Sequence, residues 1–126
     1  MKFIGLAGLI MIAAASPSFA AGDPTAGQAV FMKCAVCHNI GPDAKNKIGP
    51  ALTGVIGRQP GTFAGFSYSQ GMKDFGTKNA AWTEALISQF VKAPRDVVPG
   101  TKMTFQGLTD QTDIDNVIAY LQSQSK

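Results

Sequence analysis

Apolar side chains recur at helical spacing near the C-terminal end of the chain. Ile114, Val117, Ile118 and Leu121 stand at positions i, i+3, i+4 and i+7, so that one face of a helix collects all four. This pattern predicts an amphipathic helix from about Asp110 to Gln122.

The same spacing recurs earlier in the chain and predicts a helix from Trp82 to Val91, for which Thr83 is a suitable N-cap. Pro94 excludes helical geometry for the residue before it and therefore ends this helix. Two further helices are predicted, from Pro24 to Ala35 and from Ser69 to Asp74. The other helix N-caps are expected at Asp23, where Pro24 suits the first helical position, and at Thr109 or Asp110.

Glycine and proline interrupt the remaining sequence. Nine of them fall between Asn39 and Phe66, which predicts a long loop with at most a turn of helix from Ala51 to Ile56. Val98 to Met103 reads as an extended loop. Because no stretch alternates apolar and polar residues as a strand does, the predicted fold class is all-α.

The first twenty residues have the features of a secretory signal peptide. Lys2 provides the charged start, an apolar run extends from Phe3 to Ala15, and Ser18 and Ala20 supply the small residues of a cleavage site. The run is short for a membrane span, although an uncleaved anchor is the alternative. We expect residues 1–20 to be removed and residues 21–126 to form one soluble, periplasmic domain.

Composition indicates that this domain needs an additional apolar group to complete its core. Of the 14 glycines and 7 prolines, all but two glycines and one proline lie after the signal, and a domain of about 106 residues has only a modest core. A large apolar cofactor would enlarge it. Without Lys2, ten basic side chains face eight acidic ones, and the net charge falls from +3 to +2. This weak charge does not suggest nucleic-acid binding but suits docking to an acidic protein surface.

Cys34-Ala35-Val36-Cys37-His38 is the motif that carries chemistry. Two cysteines three residues apart can both attach to one porphyrin, and the adjacent histidine can then reach its iron, so C-x-x-C-H predicts covalent haem attachment. A redox disulfide and a zinc site are the alternatives. The chain has only two cysteines and one histidine, too few for a closed zinc site, and no βαβ pattern surrounds the motif. His38 as an ordinary surface histidine is the remaining alternative.

A haem iron in an electron carrier needs a second axial ligand. After the signal peptide, the candidates are Met32, Met72 and Met103, since no second histidine exists. Met32 is too close to the cysteines to reach the opposite face. The residues alone do not decide whether Met103 is the second ligand, because a single methionine more often only fills space in the core.

The order and spacing of several strings resemble those of the class I cytochromes c, the group of mitochondrial cytochrome c and bacterial cytochromes c2. The resemblance extends from Gly27 to Leu121. It is carried by the haem motif and by Gly49-Pro50-Ala51-Leu52, Gly54-Val55-Ile56-Gly57-Arg58, Gly65-Phe66-Ser67-Tyr68-Ser69, Trp82, Pro99-Gly100-Thr101-Lys102-Met103 and Ile118-Ala119-Tyr120-Leu121.

The resemblance implies a cytochrome c fold, with short helices and loops wrapped round one haem c that is bound through Cys34 and Cys37. His38 and Met103 would be the axial ligands, and the Pro50 carbonyl would fix the His38 ring. Gly27 and Tyr120 match a close crossing of the first and last helices. The remaining cofactor contacts implied are Arg58, Tyr68, Trp82 and Thr101 at the haem propionates, and Phe105 at the haem edge.

Three departures from the family pattern stand out. Phe90 replaces a tyrosine that donates toward the methionine sulfur in mitochondrial members, and Met72 replaces an asparagine tied to a buried water. The segment between Tyr68 and Trp82 is about three residues longer than the mitochondrial one. The Met–iron environment and the water network are therefore expected to differ.

The resemblance implies a monomeric one-electron carrier rather than an enzyme. Part of a basic ring that meets acidic redox partners is matched by Lys33, Lys47, Arg95 and Lys102, with ordinary solvated charges as the alternative. Thr109 and Asp110 replace two lysines of that ring. An oxidase, a bc1-type complex, a reaction centre and a dehydrogenase all remain open as partners. The competing functions are a haem peroxidase, a thiol–disulfide carrier and a fixed module of a larger complex.

Overall fold

The structure is a computed structural model that describes residue 5, residues 8–12 and residues 22–126. The predicted cleavage site at Ser18–Ala20 lies outside these residues. In the described ranges there are helices and loops but no strand, so the all-α prediction is confirmed. No helix among them is both long enough and apolar enough to cross a membrane.

Five helices follow one another along the chain. They are α1 (Pro24–Phe31), α2 (Gln70–Lys78), α3 (Glu84–Lys92), α4 (Pro94–Val97) and α5 (Gln111–Ser123). Side chains of Asp23, Ser69, Thr83 and Asp110 accept hydrogen bonds from the first backbone amides of α1, α2, α3 and α5. The N-caps predicted at Asp23 and Thr83 are confirmed, and Asp110 rather than Thr109 caps the last helix.

Three of the predicted helical segments differ from the structure by more than two residues. Regular helix α1 ends at Phe31, four residues before the predicted Ala35, because Met32 and Lys33 donate to carbonyls only three residues back and tighten the chain into turns. The predicted helical turn from Ala51 to Ile56 is replaced by irregular turns. Gly54, inside that segment, has φ +69°, which does not continue a helix.

Helix α2 begins one residue after the predicted Ser69, which is its N-cap, and continues four residues past Asp74. Glycine disfavours helix interiors, yet Gly71 and Gly76 both lie within α2. Gly71 and Gly76 have a tertiary reason to be there, since a Cβ at either position would collide with a backbone carbonyl, of Pro99 and of Pro60 respectively. The two glycines thus let α2 lie directly against neighbouring loops.

The core forms where α1 and α3 each pack against α5. The face of α5 predicted from its spacing is buried, with Ile114 fully inaccessible. Helix α1 crosses α5 at Gly27, where a Cβ would collide with the Asn116 carbonyl oxygen. Beside this crossing the Phe31 and Tyr120 rings pack at an interplanar angle of 51°, with their centroids 5.3 Å apart. This crossing fixes the start of the segment that carries Cys34 to His38.

Candidate functional site

His38 is held by a hydrogen bond to the loop that follows it. Tight turns from Phe31 onward end at His38, whose amide donates to the Cys34 carbonyl at 2.9 Å. The His38 Nδ1–H donates to the Pro50 carbonyl oxygen at 2.7 Å. Because a carbonyl can only accept, Nδ1 carries the proton and Nε2 keeps a lone pair for a metal.

The loop from Asn46 to Ala51 closes over one side of this ring. The Gly49 amide donates to the Cys37 carbonyl at 2.7 Å, which brings the loop backbone against the motif. A Cβ on Gly49 would collide with the His38 imidazole, so only glycine permits this approach. The Lys47 ammonium reinforces the contact by donating to the Ala35 carbonyl at 2.7 Å.

Burial shifts the pKa of two motif side chains, His38 and Cys34. It lowers the pKa of His38, against the opposing effect of the Pro50 hydrogen bond, so the ring is neutral as a metal ligand requires. Burial also raises the pKa of Cys34 to about 11. Reactive redox cysteines have lowered pKa values, so this thiol lacks the activation that a thiol–disulfide carrier needs.

A cavity of about 330 Å³ opens beside His38, and its walls are mostly apolar. A smaller one of about 80 Å³ lies deeper against the core. The two cavities share Cys34, His38, Leu52, Phe90 and Met103, so together they form one slot that runs from the surface into the core.

Most of the predicted site residues meet at this slot. Trp82 lines only the deeper cavity, 5.1 Å from the Phe90 ring. Arg58 lines neither cavity, and its guanidinium lies over the face of the Phe63 ring. The outer cavity is lined by Cys34, Cys37, His38, Pro50, Tyr68, Thr101, Met103 and Phe105.

Arg58 has hydrogen-bonding capacity that the described residues do not use. Its Nη2 donates to the Ala51 carbonyl at 2.9 Å, and its Cζ lies 4.2 Å from the Phe63 ring centroid. The buried Nη1 has no acceptor among the described residues. Burial lowers the pKa of this guanidinium, with the neighbouring Tyr68 acting against that effect. An acceptor of negative charge at Nη1 would satisfy the group.

These observations fit a haem. The slot is apolar and has two cysteines and a neutral histidine on its wall. The Arg58 guanidinium, which donates to the Ala51 carbonyl next to the wall, has one nitrogen that lacks an acceptor. Tyr68 adds a second polar group, since its hydroxyl accepts from the Phe63 amide at 3.3 Å and retains its own proton to donate. The carboxylates of a haem are acceptors of the kind that Arg58 and Tyr68 lack.

Two methionines, Met72 and Met103, lie on the slot. Met32 is 66% exposed and lines neither cavity, which agrees with its exclusion on sequence grounds. Met103 contacts both cavities, whereas Met72 contacts only the outer one. The loop carrying Met103 is anchored where Lys102 Nζ donates to the Ser67 carbonyl at 2.8 Å.

Sequence reasoning missed three contributors to the site. Val36 and Ile48 line the outer cavity and are 70% and 75% exposed. The available signal was their position, since Val36 lies between the two cysteines of the motif and Ile48 directly precedes Gly49-Pro50. Asn46 accepts a hydrogen bond from the Ala51 amide, which belongs to the same peptide unit as the Pro50 carbonyl that holds His38. A single asparagine in a glycine- and proline-rich loop provides no sequence signal for such a role.

Comparison with known proteins agrees with this geometry. The model of the cytochrome c family matches residues 24–125. The chain is 54% identical to cytochrome c2 of Rhodoblastus acidophilus over 101 residues, which is 80% of this chain and 92% of that protein. It is 44% identical to cytochrome c2 of Blastochloris viridis over 114 residues, 90% of this chain and 87% of the relative.

Solved structures extend the match to three dimensions. Cytochrome c2 from Rhodospirillum centenum superposes with a TM-score of 0.79 at 41% identity, covering 83% of this chain and all of that one. Cytochrome cH from Methylobacterium extorquens gives 0.74 at 39% identity, covering 81% and 99%. The chain therefore has the cytochrome c fold and belongs to the cytochrome c family, as an electron carrier with one covalently bound haem c rather than an enzyme.

Proposed function

We propose that this protein is a soluble periplasmic carrier that transfers single electrons through a haem held by His38 and Met103. The observation that carries the proposal is the slot with both side chains on its wall beside Cys34 and Cys37. When bound, the haem supplies an iron that accepts and releases one electron. The chain's residues hold that group still and keep water away from it.

Each ligand has a defined task in this proposal. Cys34 and Cys37 would attach the group as thioethers, and His38 would bind the iron through Nε2 while Pro50 fixes its ring. The Met103 sulfur would be the second ligand from the chain, which favours the reduced state and raises the potential. With both ligands supplied by the chain, a substrate would find no free place at the iron, as suits a carrier.

The remaining predicted contacts neutralise and cover the cofactor. Arg58 Nη1 and the Tyr68 hydroxyl would bind the propionates, and Thr101 and Trp82 would support them from the slot wall. Phe105 lines the outer cavity, where it would shield the haem edge from water.

The mouth of the slot has the character of a docking surface for an acidic redox partner. Lys33 and Lys102 line it, next to the exposed apolar side chains of Val36 and Ile48. The Lys102 ammonium donates to the Ser67 carbonyl, and Lys47 and Arg95 likewise donate to the backbone carbonyls of Ala35 and Thr104. An apolar centre flanked by positive charge favours brief encounters that charge steers.

An absorption spectrum of the purified protein in both redox states, together with its intact mass, tests this proposal. We expect the bands of a thioether-linked haem, a ferric charge-transfer band from sulfur–iron ligation, and a mass equal to residues 21–126 plus one haem. A ferric spectrum without the sulfur–iron band would contradict the axial pair. A mass that retains residues 1–20 would contradict cleavage of the signal.

Reversing one charge at the slot mouth is expected to slow electron transfer to an anionic oxidant. With hexacyanoferrate(III) at low ionic strength, Lys33→Glu should reduce the rate constant by roughly three- to tenfold, and salt should diminish the difference. Lys126→Glu makes the same change in net charge at a residue that does not line the cavity. Equal slowing by both variants in stopped-flow measurements would mean that net charge, not the mouth, steers the encounter.

A further inference from the structure

The peptide unit between Pro50 and Ala51 is hydrogen-bonded at both ends. Its carbonyl oxygen accepts from His38 Nδ1 at 2.7 Å. Its amide, on Ala51, donates to the Asn46 side-chain Oδ1 at 2.8 Å. Ala51 is fully buried, so water does not compete for that amide. The Asn46 side chain and the His38 ring are thereby connected through one rigid amide plane.

Asn46 is itself fixed by a second contact. Its Nδ2 donates to the Ala64 carbonyl at 3.1 Å, which orients Oδ1 toward the Ala51 amide. The neighbouring loop is also braced independently, because Asn39 Nδ2 donates to the Lys45 carbonyl at 2.8 Å. The geometry thus separates two roles: Asn39 holds the loop, whereas Asn46 holds the peptide that faces His38.

We propose that Asn46 is a positioning residue that tunes the electron affinity of the site by polarising the Pro50–Ala51 peptide. Hydrogen bonds in a chain strengthen one another, so an acceptor on the Ala51 amide makes the Pro50 oxygen a stronger acceptor for His38. A stronger bond at Nδ1 increases electron density on the imidazole and makes Nε2 a more basic ligand. A more basic ligand stabilises the oxidised state. This inference rests on the proposed binding of iron by His38.

The test compares three variants of the haem-loaded protein by redox titration and by the iron–histidine vibration in resonance Raman spectra. Asn46→Leu removes the acceptor and should raise the equilibrium constant for reduction about three- to tenfold and weaken that vibration. Loss of a direct hydrogen-bond partner of a metal ligand typically lowers metal affinity or activity by roughly 10- to 100-fold, and Asn46 is one contact further away. Asn46→Asp keeps an acceptor but loses the donor to Ala64, and should leave the constant at or below the wild-type value. Asn39→Ala should change neither readout.

Several outcomes would overturn the inference. One is an Asn46→Leu protein that folds and keeps the wild-type constant and vibration, and another is an equal shift in Asn39→Ala, which would indicate general loosening of the loop. If Asn46→Leu does not fold, a raised constant in Asn46→Asp is sufficient to refute the role of the acceptor. A wild-type spectrum without histidine–iron ligation would overturn the proposed axial pair and this inference together, whereas unshifted variants of a His/Met-ligated protein would overturn this inference alone.

Discussion

Replacing Met103 by alanine is expected to open the iron to external ligands. The variant should lose the sulfur–iron band, bind cyanide or azide readily at neutral pH, and show a reduction potential lower by on the order of 0.2 V, a fraction of the roughly 0.8 V range that axial ligands control. The reason is that Met103 lies where both parts of the slot meet. Absorption spectra with added cyanide and a redox titration measure these changes.

Met72→Leu is the matched control, because Met72 also lines the outer cavity but does not reach the deeper one. Leucine has nearly the volume of methionine without its sulfur, so packing should change little. The control should keep the sulfur–iron band and resist cyanide. Loss of the band in Met72→Leu, with its retention in Met103→Ala, would assign the distal ligand to the other methionine.

A single methyl group at Gly27 is expected to destabilise the fold strongly. The added Cβ would collide with the Asn116 carbonyl oxygen and lie 2.9 Å from the Tyr120 Cβ. Forcing these helices apart destabilises the fold by about 3 kcal/mol. The better helix propensity of alanine offsets about 1 kcal/mol of that loss. Gly27→Ala should therefore lower the free energy of unfolding by about 2 kcal/mol in guanidinium titrations.

Gln28→Ala provides the comparison for this effect, since Gln28 is the next residue of α1 and is exposed. Its free energy of unfolding should stay within about 0.5 kcal/mol of the wild-type value. Stability gained in Gly27→Ala would mean that helix propensity, and not the close crossing, governs this position.

Local signals in the sequence were sufficient for much of the structure. Asp23, Thr83 and Asp110 cap their helices because a short acceptor side chain satisfies the amides directly after it. The apolar face of α5 follows from spacing alone, and the C-x-x-C-H motif needs only five consecutive residues. Each of these features depends on neighbours within one or two turns, so the sequence itself determined them.

Contacts between distant segments decided the rest. Helix α2 extends past Asp74, and Gly76 allows the Pro60 carbonyl to approach it. Because Pro60 lies outside the segment, the residues next to Gly76 in the sequence do not predict this contact. The slot brings Met103 toward His38 across sixty-five residues of chain. Asn46 acquires its role only because folding buries the Ala51 amide beside it. Periodicity and motifs describe what a residue does to its own segment, whereas a slot between segments exists only once they pack.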